Sequence, residues 1–84
     1  MTLHQLRIFL AIARLRNFTR AAQELHLSQS SVSVQLHQLE GTLGCKLVEQ
    51  MGKRIFLTGA GQLLEQYARR IFALVDESQQ ALND

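Results

Sequence analysis

A short polar segment near the middle of this 84-residue sequence carries most of the side chains suited to hydrogen bonding with an extended ligand. It begins at Ser28 and ends at His37. Hydroxyl, amide and imidazole groups can both donate and accept hydrogen bonds. At helical spacing, one face of the segment carries Gln29, Ser30, Ser33, Val34 and His37. Because these side chains are small or uncharged, a helix that presents them could approach another surface closely.

This face matches the chemistry of the major groove of double-stranded DNA. The groove admits a helix, and its base edges present donors, acceptors and the thymine methyl. We therefore expect the polar members of the face to contact base edges, and Val34 to pack on a thymine methyl. A merely solvated face is the alternative that the segment alone leaves open.

A second group of residues suits phosphates. Free N–H groups at the start of a helix favour a bound phosphate, and Ser28 and Ser31 stand at such a start. Lys53 and Arg54 follow a glycine in a predicted turn. Both cations could reach phosphates or the neighbouring minor groove.

For this polar face to be exposed, the opposite side of its helix must pack against the core. Residues 28–43 predict such a helix. Ser28 is a favoured N-cap residue, and Gly44 is a natural C-terminal stop. The opposite side of this helix carries apolar residues at helical spacing, namely Val32, Leu36, Leu39 and Leu43. This stripe is predicted to be buried.

Two further helices are predicted before residue 28. Thr2 and Gln5 have capping-box spacing, and the helix that they begin should end near residues 16–17. Thr19 is the predicted N-cap of a short helix over residues 20–26. Two helices joined by a tight turn, the second with an open polar face, make a helix-turn-helix.

A hairpin and a long helix are predicted after it. Residues 47–50 and 54–57 are typical of short strands, and Gly52 allows a tight turn between them. Thr58 is the predicted cap of a last helix that runs to about Leu82. A heptad-like apolar seam along this helix predicts a dimer interface. Its residues are Leu64, Tyr67, Ala68, Ile71, Leu74, Val75, Ser78 and Leu82. Packing of the seam on its own domain is the alternative.

These elements predict a mainly α fold, a winged helix-turn-helix of three helices and a two-stranded β-hairpin wing, followed by a long linker helix that dimerises. The predicted boundaries are 1–57 for the DNA-binding domain and 58–84 for the linker and dimerisation helix. The charge follows the same division. Residues 1–57 carry seven Lys and Arg against three acids, whereas residues 58–84 carry two against four. A basic head suits a polyanionic partner.

Other function classes find little support in the sequence. Cys45, expected to be a buried small residue, cannot form an internal disulfide, and the apolar run 8–13 is too short to span a membrane. A cytoplasmic chain without membrane contact is therefore expected. The histidines lack metal-ligand spacing with Cys45, so no metal or cofactor is predicted in this domain. Arg14 and Arg16 are expected to be solvated, with a distant phosphate contact as the alternative. No nucleophile elbow or phosphate-cradling glycine loop indicates an enzyme, and a winged helix that binds protein remains the alternative.

Two stretches, LHQLRIFLAIARLRNFTRAAQELHLSQSSVSVQLHQLE and LGCKLVEQMGKRIFLTGAG, carry a resemblance that covers essentially the whole chain. They resemble the N-terminal DNA-binding domain of LysR-type transcriptional regulators. The resemblance implies a homodimer, paired through the helix of residues 58–84, that reads an interrupted inverted repeat. It also implies a small-molecule effector bound by a C-terminal domain outside this chain, in a full-length protein that is a dimer or a tetramer.

The resemblance also implies roles for individual residues. Thr19 and Arg20 match the family's contacts to the DNA backbone. The start of the family's recognition helix is matched by Ser28, Gln29, Ser30, Ser31 and Ser33. Lys53 and Arg54 match its wing, and Thr58 matches the cap of its linker helix.

The sequence departs from the family's usual pattern at three positions, one of which is Gly59, where Pro or Glu is more usual. Many members carry Arg where this chain has Val34 and Gln50, so neither position supplies a guanidinium contact here. The recognition helix should therefore depend on Gln29, Ser30, Ser33 and a methyl contact. The segment VEQMGKRIFLT is most similar to a subgroup that regulates carbon-dioxide fixation and inorganic-carbon uptake.

Overall fold

The computed structural model describes all residues, 1–84, as four helices and one two-stranded hairpin. The elements in chain order are α1 (Leu3–Leu15), α2 (Phe18–Leu25), α3 (Gln29–Leu43), β1 (Val48–Met51), β2 (Arg54–Leu57) and α4 (Gly59–Asn83). The chain extends over 48 × 26 × 19 Å, because α4 projects from a head made by the other elements. No helix combines the length and the apolar composition that crossing a bilayer requires.

The first helix begins and ends through local bonds. The Thr2 hydroxyl accepts from the Gln5 N–H at 3.0 Å, and the Gln5 Oε1 accepts from the Thr2 N–H at 3.2 Å. The predicted capping box is therefore confirmed. Arg16 ends α1 in the left-handed conformation with φ 53°, and its N–H donates to the Ile12 carbonyl.

The second helix starts earlier than predicted. Asn17 is its N-cap, and the Asn17 Oδ1 accepts from the Arg20 N–H at 2.8 Å. The prediction of Thr19 as the cap was wrong, because Asn17 follows the left-handed Arg16 in extended conformation and reaches the free N–H groups first. Phe18 is thereby the first residue of α2 and packs against the core.

The core joins the three N-terminal helices to the hairpin. Val32, Leu36 and Leu39 of α3 are buried in it, as the apolar stripe predicted. Leu43 is 38% exposed, so its predicted burial was wrong. It is the last residue of α3, where Gly44 turns the chain away from the core.

The wing is an antiparallel hairpin whose strand pairs run from Val48 opposite Leu57 to Met51 opposite Arg54. The turn therefore comprises Gly52, with φ 63°, and Lys53. The first strand lies one residue later than predicted, because Leu47 is buried in the core before the strand pairing begins.

The last helix is fastened to the head at its first turn. The Thr58 hydroxyl accepts from the Gly61 N–H at 3.0 Å and donates to the Lys46 carbonyl at 2.6 Å. The predicted cap is confirmed. Ala68 is 0% exposed within the single chain, on the side of α4 that also carries Gly61 and Phe72. Its inclusion in a partner-facing seam was wrong, because it has no surface left to offer a second chain. Residues 76–84 are exposed throughout.

Candidate nucleic-acid interface

The start of α3 is organised by a cluster of serine hydroxyls. The Ser28 Oγ accepts from the Ser31 N–H at 3.1 Å, which confirms Ser28 as the cap. The same Oγ lies 2.8 Å from the Ser31 Oγ and 3.1 Å from the Ser30 Oγ. All of these residues are exposed, so the hydroxyls and the free N–H groups of the first turn face the same open side.

The polar face of α3 is open to solvent along its length. Gln29, Ser30 and His37 are exposed and Ser33 is half-buried, whereas Val34 is 51% exposed. The side chains of Gln29, Ser33 and His37 make no hydrogen bond within the chain. Their donors and acceptors therefore remain available to an external partner.

The opposite side of α3 is held by a polar contact that the sequence did not predict. Gln5 is 8% exposed, and its Nε2 donates to the Gln35 Oε1 at 3.2 Å. The Oε1 of the same Gln5 completes the capping box of α1. One amide thus sets both the start of α1 and the orientation of α3 against it. A capping-box glutamine beside an apolar stripe is the only signal that could have indicated this.

Glu40 joins the end of α3 to the start of the wing. Its carboxylate accepts from the Leu47 N–H at 2.7 Å and from the Val48 N–H at 3.3 Å. Hydrogen bonds to an ionised acceptor are stronger than neutral ones, so this contact fixes the wing relative to α3.

Cys45 lies in the connection between Glu40 and Leu47 and is exposed. Its predicted burial was wrong, because the Glu40 contact holds Leu47 in the core and leaves Cys45 outside.

The cations of the wing are free of carboxylate partners. The chain forms ion pairs between Arg14 and Glu24 and between Arg69 and Glu65, and no others. Lys53 and Arg54 are both exposed at the end of the hairpin. Their charge is therefore not neutralised within the chain, as binding to an anionic partner requires.

A depression of about 210 Å³ lies where the wing meets the first turns of α2 and α3. Thr19, Gln29 and Lys53 line it together with Arg16, Asn17, Phe18, Gln50 and Ile55. The structure thus brings one predicted residue from each of the three elements to the same place. Arg20 and Arg54 are exposed but do not line it.

The exposed side of α4 carries an apolar stripe without a partner in the chain. Tyr67 is 51%, Leu74 62% and Leu82 84% exposed. Leu64, Ile71 and Val75 are half-buried at the border of this stripe, and Ser78 is exposed. Leu63 is also exposed and lies one helical turn before Tyr67 on the same side of α4.

A helix-turn-helix whose second helix leaves a polar face open beside a basic two-stranded wing is the arrangement of winged helix-turn-helix DNA-binding domains. Comparison with known sequences agrees with this class. Residues 3–62 match the family described as bacterial regulatory helix-turn-helix protein, lysR family. The chain belongs to this family.

Similar proteins include two transcriptional regulators from different organisms. A probable RuBisCO transcriptional regulator of Thalassiosira pseudonana is 52% identical over 83 residues. The HTH-type transcriptional activator CmpR of Synechocystis sp. is 45% identical over 83 residues. Each alignment covers 99% of this chain and 27% of the relative, so the chain spans about a quarter of their length. The reference to RuBisCO agrees with the carbon-fixation subgroup that residues 48–58 resemble.

Solved structures confirm the predicted fold. The CbnR DNA-binding domain, crystallised with DNA, has a TM-score of 0.94 at 37% identity, covering 99% of this chain and 95% of that one. The BenM DNA-binding domain, crystallised with catB site 1 DNA, has a TM-score of 0.94 at 32% identity, covering 99% and 93%. The winged helix-turn-helix and the long C-terminal helix are therefore both shared with LysR-type DNA-binding domains.

Proposed function

We propose that this chain binds double-stranded DNA as a homodimer and reads an interrupted inverted repeat. In each protomer α3 enters a major groove, and the wing lies at the flanking minor groove or phosphates. The observation that carries the proposal is the open face of α3, whose unpaired donors and acceptors lie beside the unneutralised cations of the wing. The DNA complexes of CbnR and BenM support it.

The proposed contacts divide by chemistry. Base edges are read by Gln29, Ser30, Ser33, Val34 and His37. Phosphates or the minor groove are contacted by Thr19, Arg20, Ser28, Ser31, Lys53 and Arg54. Direct base contacts carry the sequence information, whereas the phosphate contacts set the position and orientation of the protein on the duplex.

Dimerisation is assigned to α4. The proposed division is 1–57 for the DNA-binding head and 58–84 for the linker and dimerisation helix. The proposed interface comprises Leu64, Tyr67, Ile71, Leu74, Val75, Ser78 and Leu82, with Leu63 in place of Ala68. An exposed apolar stripe on a projecting helix is stabilised when a second copy covers it.

The role of the whole protein follows from its relatives. We propose a cytoplasmic transcriptional regulator, without catalytic activity, that controls genes of carbon-dioxide fixation. Because the relatives are much longer than this chain, a small-molecule effector is assigned to a further domain of the full-length protein and not to these residues.

Salt dependence tests DNA binding itself. Fluorescence anisotropy with a labelled duplex should show affinity that falls steeply with salt. Each neutralised phosphate contributes about −0.9 to the slope of log K against log salt, so Arg20, Lys53 and Arg54 of two protomers predict a slope of about −5. Absence of binding at low salt would refute the proposal and favour a winged helix that binds protein.

Replacement of Gln29 tests base reading. Gln29→Ala should weaken binding to the operator by about 1–3 kcal/mol and leave binding to random DNA unchanged, because an amide pairs with base edges and carries no charge. Gln66→Ala, at an exposed position of α4, is the matched control. Equal losses on both duplexes would show that Gln29 does not read bases.

A further inference from the structure

Arg16 makes a contact across the molecule that its sequence position does not predict. Its Nε donates to the Ala13 carbonyl at 2.7 Å, and its Nη1 donates to the Ile55 carbonyl at 3.3 Å. The first bond is local, but the second connects the turn between α1 and α2 to strand β2 of the wing. Arg16 is exposed, as expected of a solvated residue, but its guanidinium is also held by these two carbonyls.

The guanidinium retains donors that no protein group accepts. Arginine presents its N–H groups as a planar fork, and Nη2 has no partner in the chain. Unlike Arg14 and Arg69, Arg16 also has no carboxylate partner. It therefore carries a full positive charge on an exposed side chain that is held in one place by two carbonyls.

This charge lies at the depression between the wing and the first turns of α2 and α3. Arg16 and Lys53 both line it, and no aspartate or glutamate does. Thr19 and Gln29 add an uncharged hydroxyl and amide. A backbone phosphate of DNA carries one negative charge shared by two oxygens. Two cations with no acidic residue in the lining, beside neutral hydrogen-bonding groups, are suited to bind it.

We propose that Arg16 is a phosphate-contacting residue of this chain, which binds a backbone phosphate of DNA together with Lys53 while its bond to Ile55 positions the wing. The proposal rests on the DNA-binding function above and adds a contact to it. The wing strand carries Gln50 and therefore supplies no guanidinium at that position. Arg16 supplies one instead, from the turn between α1 and α2.

The backbone at Arg16 provides a variant that preserves the fold. Its φ of 53° is the left-handed conformation, which glycine adopts more readily than arginine. Arg16→Gly therefore removes the guanidinium without opposing the local backbone. Asn also tolerates this conformation, so Arg16→Asn provides a second, independent removal of the charge if the glycine variant is less stable.

The test compares salt titrations of the unaltered chain, Arg16→Gly and Arg14→Gln on operator and random duplexes. Arg14→Gln removes the same charge from α1 outside the depression. Loss of one phosphate contact per protomer should make the slope of log K against log salt less steep by about 2 for the dimer. It should also weaken binding to both duplexes alike by at least about tenfold at about 0.1 M salt. Arg14→Gln should leave the slope unchanged. Arg16→Lys, which keeps the charge, should retain most of the slope.

Two results would overturn the inference. One is a slope for Arg16→Gly and Arg16→Asn that equals that of the unaltered chain. The other is an equal reduction by Arg14→Gln, which would assign the effect to net charge. Because the unaltered chain still binds DNA in either case, such a failure is distinct from failure of the proposed function, in which no variant binds.

Discussion

Gly61→Ala is expected to destabilise the folded chain by about 3 kcal/mol, at the upper end of the cost of inserting a methyl group into a packed region. A Cβ at this position would lie 2.1 Å from the Leu47 carbonyl oxygen and 3.1 Å from its carbon. Both atoms belong to the backbone, so no side-chain rotation can relieve the overlap.

The surroundings of Leu47 make the clash harder to relieve. Its N–H is bound by the Glu40 carboxylate at 2.7 Å, and its carbonyl accepts from the Thr58 N–H at 3.0 Å. Relief of the overlap with the added Cβ therefore requires one of two movements. Either the start of the wing separates from α3, or α4 separates from the head. Either movement removes core contacts that a chain of this size can hardly lose.

Chemical denaturation followed by circular dichroism measures this effect, and Gly41→Ala is its control. Gly41 is also helical, but nothing lies within 4 Å of an added Cβ. Alanine there should stabilise the chain by about 0.5–1 kcal/mol through helix propensity alone. If Gly61→Ala unfolds at the same denaturant concentration as the unaltered chain, α4 does not depend on close approach to Leu47.

The double replacement Tyr67→Asp with Leu74→Asp is expected to convert the proposed dimer into monomers and to weaken binding to the proposed inverted repeat by about a hundredfold or more. Both side chains are more than half exposed in the single chain, so their loss should cost the head little stability. Two carboxylates in an apolar seam, however, would have to be desolvated on pairing. Without pairing, the second half-site is no longer bound at the high effective concentration that a linked head provides.

Sedimentation velocity and titration of full and half operators measure the two effects. Gln66→Asp with Ala73→Asp is the matched control, because each position precedes a seam residue by one and is exposed on another side of α4. The control should remain dimeric. Half-site affinity should be unchanged in both variants. A seam variant that still sediments as a dimer would place the interface elsewhere on the chain.

Most local features of this protein were predictable from its sequence, the cap of α2 being the exception, since it is Asn17 and not Thr19. Thr2 with Gln5, Ser28 and Thr58 cap the helices that they were expected to cap. The buried stripe of α3 and the exposed polar face opposite it follow from helical periodicity. Such features depend on residues within about one turn of each other, so the order of residue types along the chain is sufficient to specify them.

Features that join distant elements were decided only by the tertiary structure. Helical spacing showed that Leu43 and Ala68 lie on apolar faces, but not that the core ends before Leu43 or that α4 turns Ala68 toward its own head. The bonds from Glu40 to Leu47 and from Arg16 to Ile55, and the approach of Gly61 to Leu47, depend on how the packed elements cross. No periodicity encodes these distances, because they are set by the volumes of the side chains between the elements. The sequence thus specifies which chemical groups the candidate interface contains, whereas the packing of the core specifies where those groups lie.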